Sequence, residues 1–174
     1  MDILFTERLI LRPFTISDID AVHEFGSNHE VVKYMLFGPN TYDESIEFVN
    51  RAIDKYKEDP IKKIDYVIEY NTQVVGAISL HLKGDLNEAA MGWILNPKFQ
   101  NMGFATEAAR KFKEYAITKL CINRLYAVCD ARNKASENVM KKLGMVLCSI
   151  QENVESLRKD GLYIRDQLVY ELII

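Results

Sequence analysis

The apolar positions change period several times along the chain, and each change marks an element. Leu9, Leu11 and Pro13 alternate with Arg8, Ile10, Arg12 and Phe14, which predicts a strand over Arg8–Phe14. Ser17-Asp18 offers an N-cap, and Ile19, Val22 and Phe25 then follow helical spacing up to Gly26. A second helix is expected over Asp43–Lys57, with Ile46, Val49, Ile53 and Tyr56 on one face and Pro60 beyond its end. Ile64–Tyr70 and Gln73–Leu82 read as strands joined by the polar turn Asn71-Thr72. After a turn at Gly84-Asp85, Ala89–Leu95 reads as a third strand of this run, stopped by Asn96-Pro97 because proline cannot donate to a ladder. Gly103–Leu120 predicts a long helix, with Ala105, Ala108, Ala109, Phe112, Tyr115 and Ala116 at helical spacing. Arg124–Cys129 is a short strand, and Ala135–Leu143 a helix closed by Gly144. Met145–Gln151 and Gln167–Ile174 are the last strands, linked through a turn at Lys159-Asp160-Gly161. Interleaved helices and a larger number of strands predict a mixed α/β fold around one sheet. No repeat, low-complexity tract or Pro/Gly-rich linker divides the 174 residues, so 1–174 is read as a single domain.

Composition narrows the function classes. With 48% apolar and 27% charged residues the chain can bury a full core. Its net charge of −3 provides no broad basic field for nucleic acid or an anionic membrane surface. No window reaches the roughly 20 apolar residues of a spanning helix, and the segment from Met1 to Arg8 lacks a signal-peptide core. Cys121, Cys129 and Cys148 are odd in number and scattered, which argues against a disulfide framework and for a reducing, cytoplasmic setting. His23, His29 and His81 are equally scattered, so no metal site is expected.

The stretch from Met91 to Arg110 carries the most chemistry. A strand ends at Pro97, and the loop Lys98-Phe99-Gln100-Asn101-Met102-Gly103 runs straight into the long helix. A helix N-terminus presents unpaired N–H groups and partial positive charge, and a glycine there lets backbone approach a ligand closely. The combination suits a phosphate or pyrophosphate, although a plain strand–turn–helix connection has the same outline. A Walker loop requires a Lys-Ser/Thr pair that is absent, and the dinucleotide fingerprint requires two further glycines.

The segment Pro97-Lys98-Phe99-Gln100-Asn101-Met102-Gly103-Phe104-Ala105-Thr106-Glu107-Ala108 resembles the acetyl-CoA-binding motif of the Gcn5-related N-acetyltransferases, whose core reads Gln/Arg-x-x-Gly-x-Gly/Ala. Thr6-Glu7-Arg8-Leu9 with Leu11-Arg12 is similar to the opening of the family's RimJ/RimL-type branch. Gly92-Trp93-Ile94-Leu95, Asn133-Lys134-Ala135-Ser136, Lys142-Leu143-Gly144-Met145, and Asp160-Gly161 with Asp166 and Tyr170 follow in the same order. The resemblance spans nearly the whole chain. It implies a mostly antiparallel sheet, flanked by helices, with a V-shaped splay between the Ala89–Leu95 and Arg124–Cys129 strands. It places the pantetheine arm of acetyl-CoA against Ile94, Leu95 and Asn96, and the pyrophosphate on backbone N–H groups from Asn101 to Ala105, within a cofactor-binding loop of Gln100, Asn101, Met102, Gly103, Phe104, Ala105 and Thr106. Asn133 and Ser136 would stand near the sulfur.

The implied reaction is attack of an amine on a thioester. It needs a neutral amine, a polarised carbonyl and a proton for the departing thiolate. An α-amine, with a pKa near ~7.7–8.0, is already neutral to roughly a tenth or more at neutral pH, whereas a lysine is neutral to well under a hundredth. An α-amino acceptor therefore needs the weaker base. Two positions depart from the family. Where relatives often carry a Glu, two residues before Gly92, this chain has Ala90, and Glu88 is the nearest carboxylate, one pleat further along. Glu88 acts through a water or is a solvated strand-end charge, and His81 on the neighbouring strand is the reserve base. Where many relatives carry a Tyr proton donor, this chain has Met140, which leaves Ser136 as donor to the sulfur, a role compatible with capping its own helix. Trp93 and Tyr163 are candidate acceptor-pocket walls, and Arg110, Lys141 and Lys142 are either phosphate contacts or a solvated helix face. The leading expectation is an acetyl-CoA-dependent N-acetyltransferase acting on a protein N-terminal α-amine of ribosomal-protein type. A small-amine acetyltransferase for polyamines or aminoglycosides stands beside it, with Asp43, Glu44 and Glu47 as a possible acidic cleft, as does a non-catalytic acyl-CoA-binding module. Both a monomer and a homodimer remain open.

Overall fold

The computed structural model describes residues 1–83 and 87–174, so the expected turn at Gly84-Asp85 lies outside the described residues. Eight strands form one sheet: β1 Leu4–Phe5, β2 Ile10–Pro13, β3 Lys63–Tyr70, β4 Gln73–Lys83, β5 Glu88–Leu95, β6 Arg124–Asp130, β7 Val146–Arg158 and β8 Gly161–Ile173. Their order is β1-β2-β3-β4-β5-β6-β8-β7. Every neighbouring pair is antiparallel except β5 and β6, which run parallel. The helices are α1 Ile19–Gly26, α2 His29–Val32, α3 Tyr42–Lys55, α4 Phe104–Thr118 and α5 Lys134–Lys142.

Period two splits the core between the two faces of the sheet. On one face Ile64, Tyr66, Ile78, Leu80, Met91 and Leu125 pack with Phe104, Ala108, Phe112 and Ala116 of α4. On the other, Val67 and Ala77 pack with Phe14, with Val22 and Phe25 of α1, and with Val49 and Ala52 of α3. Asn71 and Thr72 both take left-handed φ, of 47° and 64°, as a tight two-residue hairpin turn demands.

The structure corrects several boundaries. Asp18 is the N-cap of α1, but its side chain makes no capping bond to that helix; it is used instead in a capping box with Thr15, which opens a 3-10 turn over Ile16–Asp18. The Asp18 carboxylate is buried and held by Arg12 at 2.9 Å. Strand β1 and helix α2 carry too few residues to show a period. β7 and β8 run 13 residues each, well beyond the expected spans. β7 is an almost wholly exposed edge, and shifts of register at Leu147/Ser149 and Gln151/Val154 break its alternation, so its extent left no periodic signal.

Candidate active site

The site begins where β5 and β6 part. They pair at Glu88↔Arg124, Ala89↔Leu125 and Ala90↔Tyr126. Beyond Ala90, β5 continues to Leu95 on β4 alone, and β6 continues to Asp130 on β8. A cavity of about 640 Å³ opens in this splay, lined by Met91 to Ile94 of β5, Val128 and Cys129 of β6, and Asn133 and Ser136. Residues from both faces of the sheet line it, Gly92 and Ile94 belonging to one and Met91 and Trp93 to the other. Tyr34 to Gly38 and the hairpin tip Leu157 to Lys159 complete its wall. The tip is tied down: Arg158 Nη1 donates to the Lys33 carbonyl at 3.0 Å, and Lys159 Nζ reaches the Pro39 carbonyl at 3.0 Å and Glu44 at 2.7 Å.

Asn133 is the N-cap of α5, its Oδ1 accepting the Ser136 N–H at 3.1 Å. Ser136 therefore does not cap its own helix. Among the described residues nothing hydrogen-bonds its hydroxyl, which is left on the cavity wall. The turn that carries Asn133 is fixed by Asp130, 2% exposed, which accepts the Arg132 N–H and Nε at 2.9 Å and Nη2 at 2.6 Å, and the Tyr163 hydroxyl. Burial by itself raises the Asp130 carboxyl, but the hydrogen bonds from Arg132 and Tyr163 outweigh it and hold the group at about 2.

On the sheet face that carries Gly92, a polar strip adjoins the splay. In register, Lys63 faces His81 and His81 faces Ala90, while Asp65 faces Ser79 and Ser79 faces Gly92. Asp65 is 4% exposed and bonded to Lys63 Nζ at 3.0 Å, and burial pushes its carboxyl upward. Desolvation, with help from Lys63, pushes the His81 imidazole below its usual range.

The loop before α4 lies outside this cavity. Asn101 and Gly103 take left-handed φ, of 62° and 83°, and turn the chain so that α4 starts at Phe104. A Cβ on Gly103 would meet Arg8 Nη2 only at ordinary contact, 3.4 Å, so conformation rather than space demands glycine here. Arg8 braces the loop, donating to the Met102 carbonyl at 3.1 Å, pairing with Glu107 at 2.6 Å and lying over the Phe104 ring. A second cavity beside Gly103 is lined by Arg8, Arg110, Lys111 and Lys142 among others. An exposed, cation-flanked helix N-terminus fits a pyrophosphate.

Residues 8–146 match the acetyltransferase (GNAT) domain family. The chain belongs to that family. The acetyltransferase is 34% identical over 140 residues to the uncharacterized N-acetyltransferase YnaD of Bacillus subtilis, covering 80% of each chain. It is 28% identical over 135 residues to spermidine N(1)-acetyltransferase of Escherichia coli, covering 77% of this chain and 70% of that one. Its fold matches the Salmonella typhimurium acetyltransferase that modifies the N-terminal serine of ribosomal protein L7/L12, with TM-score 0.85 and 21% identity over 99% of each chain. GNAT enzymes take acetyl-CoA as donor, and so does this acetyltransferase.

The fold brings some of the expected site residues together and separates others. Ile94, Asn133, Ser136 and Trp93 share the splay cavity. Leu95 and Asn96 are buried beside it: the Leu95 carbonyl accepts Gln100 Nε2 at 3.3 Å, and the Asn96 N–H goes to the Val75 carbonyl at 2.8 Å. Asn101, Met102 and Gly103 are exposed, while Phe104 and Thr106 are buried and Ala105 is half-buried. Glu88 sits at the closed end of the V, ion-paired to Arg124 at 3.0 Å, and does not line the cavity; the parallel pairing there engages it structurally. Tyr163 is drawn into the Asp130 network instead of the cavity wall, and Lys141 pairs with Glu137 at 2.8 Å. Met140 is fully buried. Sequence reading missed Asp65, whose signal was a carboxylate inside the apolar strand Ile64-Asp65-Tyr66-Val67-Ile68.

Proposed function

We propose that this acetyltransferase modifies the α-amine of a peptide or protein N-terminus. The composition of the splay cavity carries the reading. Its carboxylates are already paired: Glu44 with Lys159 at 2.7 Å, Glu47 with Arg51 at 3.8 Å, and Asp65 with Lys63 at 3.0 Å. Arg158 adds a further cation to the lining. A polyamine or aminoglycoside, with several positive charges, needs carboxylates free to meet them. The rim favours a larger acceptor, since Leu36, Phe37 and Leu157 expose 51%, 47% and 86% of their surface beside the opening. An extended peptide end presents one amine and apolar side chains to such a rim.

In this reading the loop from Gln100 to Thr106 receives the acetyl-CoA pyrophosphate, and the edge of β5 at Ile94 and Leu95 guides the pantetheine arm. Ser136, with its hydroxyl free on the cavity wall, passes a proton to the departing sulfur. Three free cysteines accord with a cytoplasmic setting.

The test is CoA-thiol release from the purified protein with acetyl-CoA and a panel of unblocked peptides, their Nα-blocked counterparts, spermidine and an aminoglycoside. Turnover is expected with unblocked peptides alone. Faster turnover of spermidine would reverse the choice of acceptor, and tight acetyl-CoA binding with no thiol release from any acceptor would favour a non-catalytic module. Ser136→Ala is expected to lower kcat with acetyl-CoA affinity unchanged.

A further inference from the structure

We propose that His81 is the general base of this acetyltransferase, taking the proton of the incoming ammonium group; the inference rests on the amine-acetylating reading above. Four observations converge. First, His81 lines the splay cavity together with Gly92 and Ser136. Second, His81 and Ala90 are register partners, so the imidazole stands on the same face as the methyl of Ala90, over the strand that borders the splay. Third, among the described residues no hydrogen bond occupies either ring nitrogen, so a lone pair is available to an acceptor. Fourth, Glu88 is ion-paired at the closed end of the V, and Asp65 is buried and held by Lys63, which leaves His81 as the accessible weak base on this face among the described residues.

The charged groups around it favour the neutral form. Lys63 on β3 and Lys83 on β4 repel an imidazolium, and desolvation acts in the same direction, while Asp65 on β3 opposes them. Glu47 and Arg51 of α3 share the cavity but pair with each other, and Arg124 of β6 is taken by Glu88 and Glu171. An imidazole biased this way is a weak base, which suits an α-amine rather than a lysine.

Neutral His81 accepts one proton from the acceptor ammonium. The amine lone pair then attacks the thioester carbon, forming the C–N bond. The tetrahedral adduct collapses, the C–S bond breaks, and its electron pair leaves on sulfur. The second nitrogen proton is relayed to that sulfur through the Ser136 hydroxyl, and His81 returns its proton to solvent. The products are the N-acetyl amine, CoA thiol and one proton.

The experiment compares wild type with His81→Ala and His81→Gln, using the best unblocked peptide. Acetyl-CoA affinity, read by calorimetry, is expected to stay within about twofold, while kcat falls about a hundredfold or more in both variants. The pH profile of kcat for wild type should show an acidic limb below the usual histidine range, absent from the variants. Added imidazole should restore a concentration-dependent part of the His81→Ala rate. Retained kcat with an unchanged acidic limb, or a loss that imidazole never rescues while Asp65→Asn abolishes turnover, overturns the assignment to His81. Failure of the wild type itself to turn over any peptide would instead strike the acceptor reading.

Discussion

Gly76 on β4 offers the sharpest test of how the splay is built. It pairs with Leu95, the last residue of β5. A Cβ added there would lie 2.2 Å from the Ile94 carbonyl oxygen, 2.7 Å from Leu95 Cδ2 and 3.1 Å from Leu95 Cα. Two of these are backbone atoms, so no rotamer relieves them. Reaching ordinary contact at 3.4 Å from 2.2 Å requires about 1.2 Å of strand separation (3.4 − 2.2), at the strand end that borders the cavity. Forcing one extra carbon into packed structure costs about 1–3 kcal/mol, and this contact belongs at the upper end. The lower backbone entropy of alanine offsets roughly 0.5–1 kcal/mol of it, leaving a net loss of about 2 kcal/mol. For a domain of this size that is a fall in Tm of about 4–8 °C. Gly92→Ala is the control, since its Cβ meets only the Ser79 hydroxyl, at 3.2 Å, and a hydroxyl can rotate away. Calorimetric melting of both variants, with acetyl-CoA titrations, decides the matter. Gly76→Ala should melt low and bind acetyl-CoA more weakly; Gly92→Ala should stay within about 0.5 kcal/mol of wild type. A Gly76→Ala protein melting within a degree of wild type would refute the reasoning, because the strand end would then be too pliable to hold a defined splay.

Three further outcomes follow from the same structure. Asn133→Ala removes the cap of α5 and should cost about 1 kcal/mol in urea unfolding, and kcat should fall with it because Ser136 N–H loses its partner. Gly103→Val places a β-branched residue at φ 83°, at about 1–2 kcal/mol, and should weaken acetyl-CoA binding about five- to thirtyfold; unchanged affinity would move the pyrophosphate elsewhere. Asp130 has a folded pKa of about 2, depressed below its ordinary 3.8, so its contribution to stability is complete above about pH 5 and is lost as pH falls toward 2. That contribution is roughly 2 kcal/mol, and Tyr163→Phe should shrink the acid-induced loss measured by denaturant unfolding between pH 5 and 3.

Local patterning fixed much of this molecule. The β3–β4 hairpin, strand β5, helix α4 and the glycine at its start were legible because each buries one periodic face or needs one special conformation. The order of motifs was enough to identify the donor. What the sequence could not supply was adjacency. His81 and Ala90 stand nine positions apart in sequence, yet pairing of β4 with β5 sets them side by side; Glu88, the nearer carboxylate by sequence, is removed to the closed end of the V by the parallel register with Arg124. The cavity roof needs the loop after α2 and the β7–β8 tip, which meet through Arg158 and Lys159, and side-chain-to-backbone bonds across more than a hundred residues leave no periodic trace. Periodicity reports burial of a face, a local property. Which residues share a cavity depends on strand register and on where two strands part, and only the tertiary structure decides those.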